Sequence, residues 1–520
     1  MEKSYEIKEV VIGDHDLTLE EFIAVARYHA ETGISKQAIG KMTQSRQLVE
    51  QIADRGDVAY GITTGFGELA RVSVDKEMSG KLSTNLVLSH SVATGESYSE
   101  EQVRGMMLLL CNSLSKGYSG CRVKLVEILI DMLNRDVVPV VPQKGSLGAS
   151  GDLAPLSHIA LLLLGKGKAY YHGEILEGKQ AMQAAGIETV DTLVNKEGLA
   201  LTNGTHAMTS LAALSVYDAE ELISLADLIA SISFTVLTGQ KAAFDHRIHQ
   251  LRGQKGQIHT AENLLRLMEG SEICDASQGL RVQDAYTLRC IPQVHGACRD
   301  AIEYVREKVD IELNAVTDNP LLFTEDGSVI SGGNFHGEPM ALAMDFLGIA
   351  LSEIASISER RLERMVNASL SNGLNPFLCT DPGINSGFMI IQYSAASMAS
   401  ENKVLAHPAC VDNIQSSANQ EDFVSMGTTA ARKCSSIIQN VYSVLGFELF
   451  TTCQGVDLRK KDEKNNGLSP AQNAVYERVR EDIGFIEEDK EMRIEIEKME
   501  KLIRNKELLQ IVRRFISDYR

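Results

Sequence analysis

The stretch Gly145–Pro155 carries the residues whose types and spacing point most directly to chemistry. It is a loop of small residues followed by an apolar run, and Asp152 is of a type that favours helix N-caps. The stretch therefore predicts a tight turn that enters a helix, where backbone N–H groups favour negative charge. A tight bend can press the Gly151 nitrogen against the Ala149 carbonyl carbon. Cyclisation there, with loss of water including the Ser150 hydroxyl, gives an exocyclic methylene, an electrophile that no unmodified side chain provides.

The run Gly-Ser-Leu-Gly-Ala-Ser-Gly-Asp-Leu-Ala-Pro-Leu-Ser-His, residues 145–158, resembles the signature of the aromatic amino acid ammonia-lyases. In that family the Ala-Ser-Gly triad matures into 4-methylidene-imidazol-5-one (MIO). The tripeptide alone is more often an ordinary loop, but similarity to the family continues, in order, over roughly residues 55–460. The resemblance implies an MIO group formed from Ala149, Ser150 and Gly151, with no external cofactor.

Elimination of ammonia from an α-amino acid also requires removal of a weakly acidic β-proton. The family places a tyrosine for this step in the motif that here reads Tyr-Gly-Ile-Thr-Thr-Gly-Phe-Gly and starts at Tyr60. A phenol is a poor base at neutral pH, and it becomes useful where helix N-termini or cations stabilise the phenolate. Asn203, in Leu-Thr-Asn-Gly-Thr, matches the family's asparagine that contacts the ring and the substrate. Whether the electrophile accepts the substrate amine or its aromatic ring stays open.

The third requirement is a site that holds the substrate carboxylate. Gln283, Tyr286 and Arg289 match the family segment Gln-Asp-x-Tyr-Ser-x-Arg, and their i, i+3, i+6 spacing predicts one helical face. Arginine is the side chain suited to bidentate carboxylate binding. Phe335, in an Asn-Phe-His segment, matches a phenylalanine that lines the family's pocket, and Met389 lies in a further matching segment, Asn-Ser-Gly-Phe-Met.

Two positions bear on which amino acid is bound. The pair Ser89-His90 resembles the branch of the family that acts on histidine, and Glu421, after Gln420, stands where phenylalanine-specific members carry glutamine. A phenyl ring would leave this imidazole and carboxylate unpaired in a partly buried site, which is costly. The resemblance therefore implies L-histidine as substrate and trans-urocanate as product. Phe423 departs from the pattern, because histidine is frequent there in this branch.

Other interpretations stay open at this point. Within the family, the alternatives are a phenylalanine or tyrosine ammonia-lyase and an aminomutase. The fumarase and argininosuccinate lyase group carries a Gly-Ser-Ser-x-Met-Pro-x-Lys-x-Asn loop that this sequence lacks. An inactive helical scaffold is disfavoured by the intact Tyr60, Asn203 and Arg289. His246 and His249 have i, i+3 spacing without a third ligand nearby, so no metal site is predicted.

Composition and charge limit the class of protein further. The chain has 520 residues, of which 44% are hydrophobic and 23% charged, enough for a large core. A net charge of −19 argues against a nucleic-acid or anionic-membrane partner. Nine cysteines without CxxC pairs favour reduced thiols over disulfides. With no signal pattern and no apolar run near the ~18 residues of a membrane span, the sequence predicts a cytoplasmic protein.

Long apolar-periodic segments then set the expected architecture. Such segments, of about 20 residues with a 3.6-residue period, predict long packed helices at 211–237, 294–316, 339–366 and 388–405. The predicted fold is mainly α, a large elongated helical bundle with a smaller mixed N-terminal region that carries the MIO loop. The predicted segments are an N-terminal region at 1–202, a central bundle at 203–461 and a charged helical tail at 462–520.

The family resemblance also implies a homotetramer whose active sites combine residues from more than one subunit. Accordingly, some predicted site residues are expected to lie far from Ser150 within one chain: Gln283, Tyr286, Arg289 and Phe335. In the charged tail, one helical face carries an apolar stripe of Met492, Ile496, Met499 and Ile503. That pattern is typical of a solvated surface helix, and packing on a neighbouring subunit is the alternative.

Overall fold

The computed structural model describes residues 3–65, 76–459 and 467–520. Within these ranges the chain forms 20 α-helices and nine short strands, so the mainly α prediction is confirmed. The last two residues of the motif that starts at Tyr60, and most of the predicted loop at 464–467, lie outside the described residues. The first ten helices are α1 Leu19–Tyr28, α2 Lys36–Arg55, α3 Lys76–His90, α4 Glu100–Ser115, α5 Val123–Asn134, α6 Leu153–Leu163, α7 Gly178–Ala184, α8 Glu197–Thr202, α9 His206–Val236 and α10 His246–Arg252. The others are α11 Lys255–Leu267, α12 Glu272–Ala276, α13 Tyr286–Arg289, α14 Ile291–Glu312, α15 Glu338–Val366, α16 Met389–Leu405, α17 Gly427–Arg459, α18 Pro470–Asp482, α19 Met492–Arg504 and α20 Glu507–Arg513.

The strands are short and form four small sheets. They are β1 Glu9–Ile12, β2 Glu31–Ile34, β3 Thr94–Ser97, β4 Val138–Pro139, β5 Pro142–Lys144, β6 Lys168–Tyr171, β7 Glu174–Glu177, β8 Leu321–Phe323 and β9 Ser328–Ile330. β1 and β2 pair in parallel, whereas β3–β5, β4–β6–β7 and β8–β9 are antiparallel. Each sheet is too small to form a core of its own, so the sheets serve to connect and position helices and loops.

Two compact units make up the chain. The first consists of Met1–Ser215, Arg306–Asp345 and Pro408–Arg432, and it contains all four sheets. The second consists of Val216–Val305, Phe346–His407 and Lys433–Arg520. These units interleave along the chain and are a different division from the three consecutive segments 1–202, 203–461 and 462–520, which stay a prediction.

The four long periodic segments form helices, as predicted: α9, α14, α15 and α16. α15 is also long and apolar enough to cross a membrane by length and composition, but 61% of the relevant window is buried inside the protein, as in a core helix. The apolar stripe of the tail lies on α19, where Met499 and Ile503 are buried. Both pack close to Gly446 of α17, within the same unit, so the stripe is covered by its own chain.

Candidate active site

The loop before α6 is built around two glycines with left-handed backbone. Gly148 has φ +78° and Gly151 has φ +76°, values that residues with a Cβ rarely adopt. A Cβ on Gly151 would stand 2.1 Å from the carbonyl oxygen of Gly204, so the two backbones touch directly. The Gly204 N–H donates to the Ser150 carbonyl at 3.3 Å, and the Asp152 N–H donates to the Gly204 carbonyl at 2.8 Å. These contacts hold the Ala149–Gly151 triad in one tight conformation, which fits the backbone proximity that ring closure requires.

Asp152 anchors this loop from behind. Its buried carboxylate accepts hydrogen bonds from the backbone N–H groups of Ala207 and Met208, at 2.8 and 2.9 Å, in the first turn of α9. Ser146 Oγ donates to it at 2.8 Å and Thr428 Oγ1 donates as well. We expected this side chain to cap α6, which follows it directly. Asp152 does occupy the N-cap position of α6, but its carboxylate makes no cap bond there and instead caps α9.

Replacing Asp152 with asparagine is expected to slow or prevent maturation of the loop. Burial raises the pKa of the Asp152 carboxyl, while its four hydrogen-bond donors favour the ionised form. A carboxamide accepts through one oxygen only, so at least one donor loses its partner, at a cost of about 1–3 kcal/mol. The fraction of Asp152→Asn protein that has lost two water molecules by intact mass measures the effect. A wild-type fraction would contradict this role.

A cavity of about 1140 Å³ opens beside Ser150 in the first unit. Seven of the sequence-predicted site residues line it: Tyr60, His90, Ser150, Asn203, Phe335, Gln420 and Glu421. We expected Phe335 to lie far from Ser150, and that expectation is wrong. It lies in the same cavity because residues 306–345 belong to the first unit, and the Gly332 N–H bonds Asn319 Oδ1 at 2.8 Å in the adjoining segment.

Ala149 and Gly151 flank Ser150 in the loop. The other four predicted residues belong to the second unit and do not line this cavity: Gln283, Tyr286, Arg289 and Met389. The single helical face predicted for the first three is wrong, because α13 begins only at Tyr286 and Gln283 precedes it. The reason is Asp284, whose carboxylate accepts from Gln240 N at 2.6 Å and from Arg281 Nη2 at 2.8 Å. These bonds hold the chain in an irregular conformation there.

At one wall of the cavity the His90 imidazole lies near the Glu421 carboxylate. Burial lowers the pKa of His90 below its ordinary 6.5, and a hydrogen bond to the Leu86 backbone and the nearby charge of Glu421 offset part of that effect. Ser89 Oγ lies 3.1 Å from the Leu86 carbonyl and 3.0 Å from His90 Nδ1. Glu421 Oε2 accepts from Ser416 Oγ at 3.2 Å.

Several residues of the cavity wall were given no role in the site by the sequence analysis. α3 contributes an apolar side, and the segment around β8 and β9 contributes a polar one; the residues are Leu82, Asn85, Leu86, Asn319, Ser331 and Gly332. A signal existed for the first group, since Leu82 and Leu86 stand at i, i+4 on the helix that carries His90. Asn319 lies in an Asp-Asn-Pro segment that also resembles the family, but its residue types alone do not predict a position beside Ser150.

The stability of the protein is expected to depend on pH because of His206, at the start of α9. It is buried, and within the described part of the chain neither ring nitrogen has a hydrogen-bond partner. Burial lowers its pKa from 6.5 to about 4. Between pH 6.5 and pH 4 the His206 imidazole is therefore protonated in the unfolded chain but not in the native state. The free energy of unfolding falls by about 3 kcal/mol over this range as the pH drops. We expect the melting temperature of His206→Leu protein to fall less than that of the wild type between pH 7 and pH 4.5. An equal fall in both proteins would contradict the role of His206 in this pH dependence.

These features, a mainly helical chain with a glycine-held Ala-Ser-Gly loop opening onto a polar cavity, match a known class. A family model described as aromatic amino acid lyase matches residues 17–481, and the chain belongs to that family, whose members depend on MIO. Histidine ammonia-lyase 1 of Fusobacterium nucleatum is 51% identical over 511 residues, 98% of each chain. Histidine ammonia-lyase of Caldanaerobacter subterraneus is 52% identical over 507 residues, covering 98% of this chain and 99% of the relative.

Solved structures agree with this assignment. A histidine ammonia-lyase from Trypanosoma cruzi is 37% identical with a TM-score of 0.90, covering 98% of this chain and 95% of that one. A tyrosine aminomutase from Streptomyces globisporus is also 37% identical, with a TM-score of 0.91 and coverage of 97% and 98%. Family and fold are thus shared across proteins whose names specify different substrates and different reactions.

Proposed function

We propose that this chain eliminates ammonia from L-histidine and gives trans-urocanate. The observation that carries the proposal is that Glu421 and His90 line the same cavity as Ser150 and Tyr60. An imidazole substrate has a ring N–H for the carboxylate and a ring nitrogen for a second partner, whereas a phenyl ring satisfies neither. Full-length relatives of about 50% identity named histidine ammonia-lyase support the same substrate.

The residues of this cavity divide the work between them. Ala149, Ser150 and Gly151 form MIO, which supplies an electrophilic methylene. The phenolic oxygen of Tyr60 takes the β-proton, the C–N bond breaks, and the electron pair of the C–H bond becomes the Cα=Cβ double bond of urocanate. Glu421, His90 and Gln420 orient the imidazole, Asn203 contacts the substrate beside the triad, and Phe335 packs on it. Apart from Ala149 and Gly151, whose backbone atoms form the ring, every residue given a role here lines the cavity.

The carboxylate site is supplied by another copy of the chain. Arg289 and Tyr286 belong to the second unit, and the Arg289 guanidinium lies over the Tyr286 ring, 4.5 Å from its centroid. We propose that these two residues, with Gln283 and Met389, complete the cavity of a second copy in a homotetramer. Exposed apolar side chains at i, i+4, i+7 along α15 support association: Leu342, Phe346 and Ile349 are 51, 45 and 43% exposed.

Complementation tests the shared site directly. Tyr60→Phe and Arg289→Met proteins are each expected to be inactive, and co-expression of the two is expected to restore part of the activity. The mixed assembly then contains some sites in which Tyr60 and Arg289 are both wild type. If Tyr60 and Arg289 of each site instead come from the same chain, every site carries one of the two substitutions, and co-expression restores no activity. Analytical ultracentrifugation of the wild type gives the number of 56.9 kDa chains in the assembly.

We further infer a cytoplasmic enzyme without a nucleic-acid or membrane partner. The net charge of −19 opposes polyanionic surfaces, and all nine cysteines are free, as suits a reducing compartment. The segments 1–202, 203–461 and 462–520 remain our proposal for the order in which the chain is organised along its length.

Product analysis tests the reaction. The wild type is incubated separately with L-histidine, L-phenylalanine and L-tyrosine, and the products are identified as urocanate, cinnamate, coumarate or a β-amino acid. We expect urocanate and ammonia from L-histidine only. A β-amino acid would favour the aminomutase alternative, which the similarity to a tyrosine aminomutase keeps in view. Cinnamate or coumarate as the main product would overturn the substrate proposal, and an intact mass without loss of two waters would overturn the MIO proposal.

A further inference from the structure

Lys196 and Asp318 form a buried ion pair directly behind the cavity. The Lys196 side chain is 0% exposed and that of Asp318 2%, and Lys196 Nζ lies 2.5 Å from Asp318 Oδ2. Lys196 precedes α8 and has φ +72°, a left-handed conformation that is unfavourable for a lysine. The position of this ammonium group therefore costs free energy twice, through the backbone strain at Lys196 and through the desolvation of two charges. Such a combination is found where a residue serves a site.

The ion pair continues into the cavity through Asn203. Asn203 Nδ2 donates to the Asn319 carbonyl at 2.9 Å and lies 3.3 Å from Asp318 Oδ1. Asp318 Oδ1 also accepts from the Asn319 N–H at 2.6 Å. Both acceptors surround the amide nitrogen of Asn203, so its two N–H groups are used and its oxygen is left as an acceptor. Asn203 and Asn319 line the cavity together with Ser150.

We propose that Lys196 is a positioning residue, which through Asp318 holds the Asn203 carboxamide with its oxygen available to the ammonium group of the substrate. Lys196 neutralises Asp318, and an ionised carboxylate can only accept hydrogen bonds, so it selects the N–H side of Asn203. Without Lys196 the buried Asp318 carboxylate loses its charge partner, so it no longer holds the N–H side of Asn203 in this orientation. The inference rests on the proposed function, because it assigns Asn203 to the amine that is eliminated.

The neighbouring residue offers a matched control. Glu197 is also 0% exposed, but its partner is Arg122, with Glu197 Oε1 2.7 Å from Arg122 Nε. Glu197 shares the chain segment and the burial of Lys196, and none of its hydrogen bonds reaches Asn203. Glu197→Gln therefore removes a neighbouring buried carboxylate from its ion pair, whose arginine is 33% exposed, without changing any hydrogen bond of Asn203.

The experiment compares Lys196→Met, the double variant Lys196→Met/Asp318→Leu and Glu197→Gln with the wild type. We expect kcat/KM for L-histidine to fall roughly 10- to 100-fold in both Lys196 variants, the size of one lost charge-assisted hydrogen bond. The inhibition constant of urocanate, which has no ammonium group, is expected to stay unchanged. Glu197→Gln is expected to keep the wild-type kcat/KM. Intact mass shows in each variant whether the two waters have been lost.

The outcomes separate positioning from stability. If Lys196→Met does not fold, the double variant decides, because it leaves no unpaired buried charge. A folded double variant with wild-type kcat/KM overturns the proposal, and so does a loss of kcat/KM that follows melting temperature equally in all variants, including Glu197→Gln. If the wild type deaminates a different amino acid, the substrate proposal fails by itself. The kcat/KM values of the same variants are then compared with that amino acid as substrate, because it carries the same ammonium group.

Discussion

Ser150→Ala protein is expected to keep its fold, to show the full encoded mass, and to release ammonia from L-histidine more than about 10³-fold more slowly than the wild type. The hydroxyl of Ser150 is the group lost as water when the methylene forms, and alanine has no such group. Gly148 and Gly151 hold the loop in a tight conformation whatever the residue between them, so the substitution tests chemistry rather than folding. Intact mass, melting temperature and urocanate formation measure the three expectations.

A second serine in the same segment provides the control. Ser157 is buried in α6, and its hydroxyl donates to the Leu153 carbonyl at 2.7 Å. Ser157→Ala also removes one buried hydroxyl, at a cost of about 1 kcal/mol in stability, and is expected to leave the mass loss and the activity unchanged. Full activity in Ser150→Ala protein would mean that the electrophile is not made from this triad, and equal losses in both variants would point to loop stability instead.

The long helices were predictable from the sequence because their information is local. α9 and α15 repeat apolar residues with a helical period over some 30 positions, and they contain few residues that interrupt a helix. The Ala149–Gly151 turn was predictable for a similar reason, since flanking glycines announce a sharp bend. These features depend on neighbours in the chain, and the structure keeps them.

The errors at the site arise from partners distant in sequence. Asp152 stands at the predicted N-cap position of α6, but its carboxylate caps α9 through Ala207 and Met208, more than 50 residues further along. Gln283 was expected on a helix, but Asp284 bonds Gln240 and the chain is held outside it. In both cases a carboxylate accepts hydrogen bonds from residues that are distant in sequence and close in the folded structure. The spacing of residues along the chain therefore identifies the residue types of the site, but it does not predict the long-range contacts that position them.

Glu421→Gln is expected to lower kcat/KM for L-histidine by about 10²- to 10³-fold. A charged acceptor beside the imidazole ring N–H contributes a charge-assisted hydrogen bond, and glutamine offers a weaker, neutral one. Because the carboxylate is also what makes the cavity unfavourable for a phenyl ring, the same change is expected to raise the ratio of L-phenylalanine to L-histidine turnover. Parallel assays of urocanate and cinnamate formation measure both effects.

The neighbouring carboxylate separates ring recognition from general electrostatics at this site. Asp422 is exposed, does not line the cavity, and differs from Glu421 by one position, so Asp422→Asn removes the same charge from the same loop. We expect it to change kcat/KM by less than about twofold, since exposed charges are screened. Equal losses in the two variants would assign the effect to the overall negative potential of the loop. A loss confined to Glu421→Gln requires direct contact with the ring, since only that side chain faces the cavity that Ser150 and His90 share.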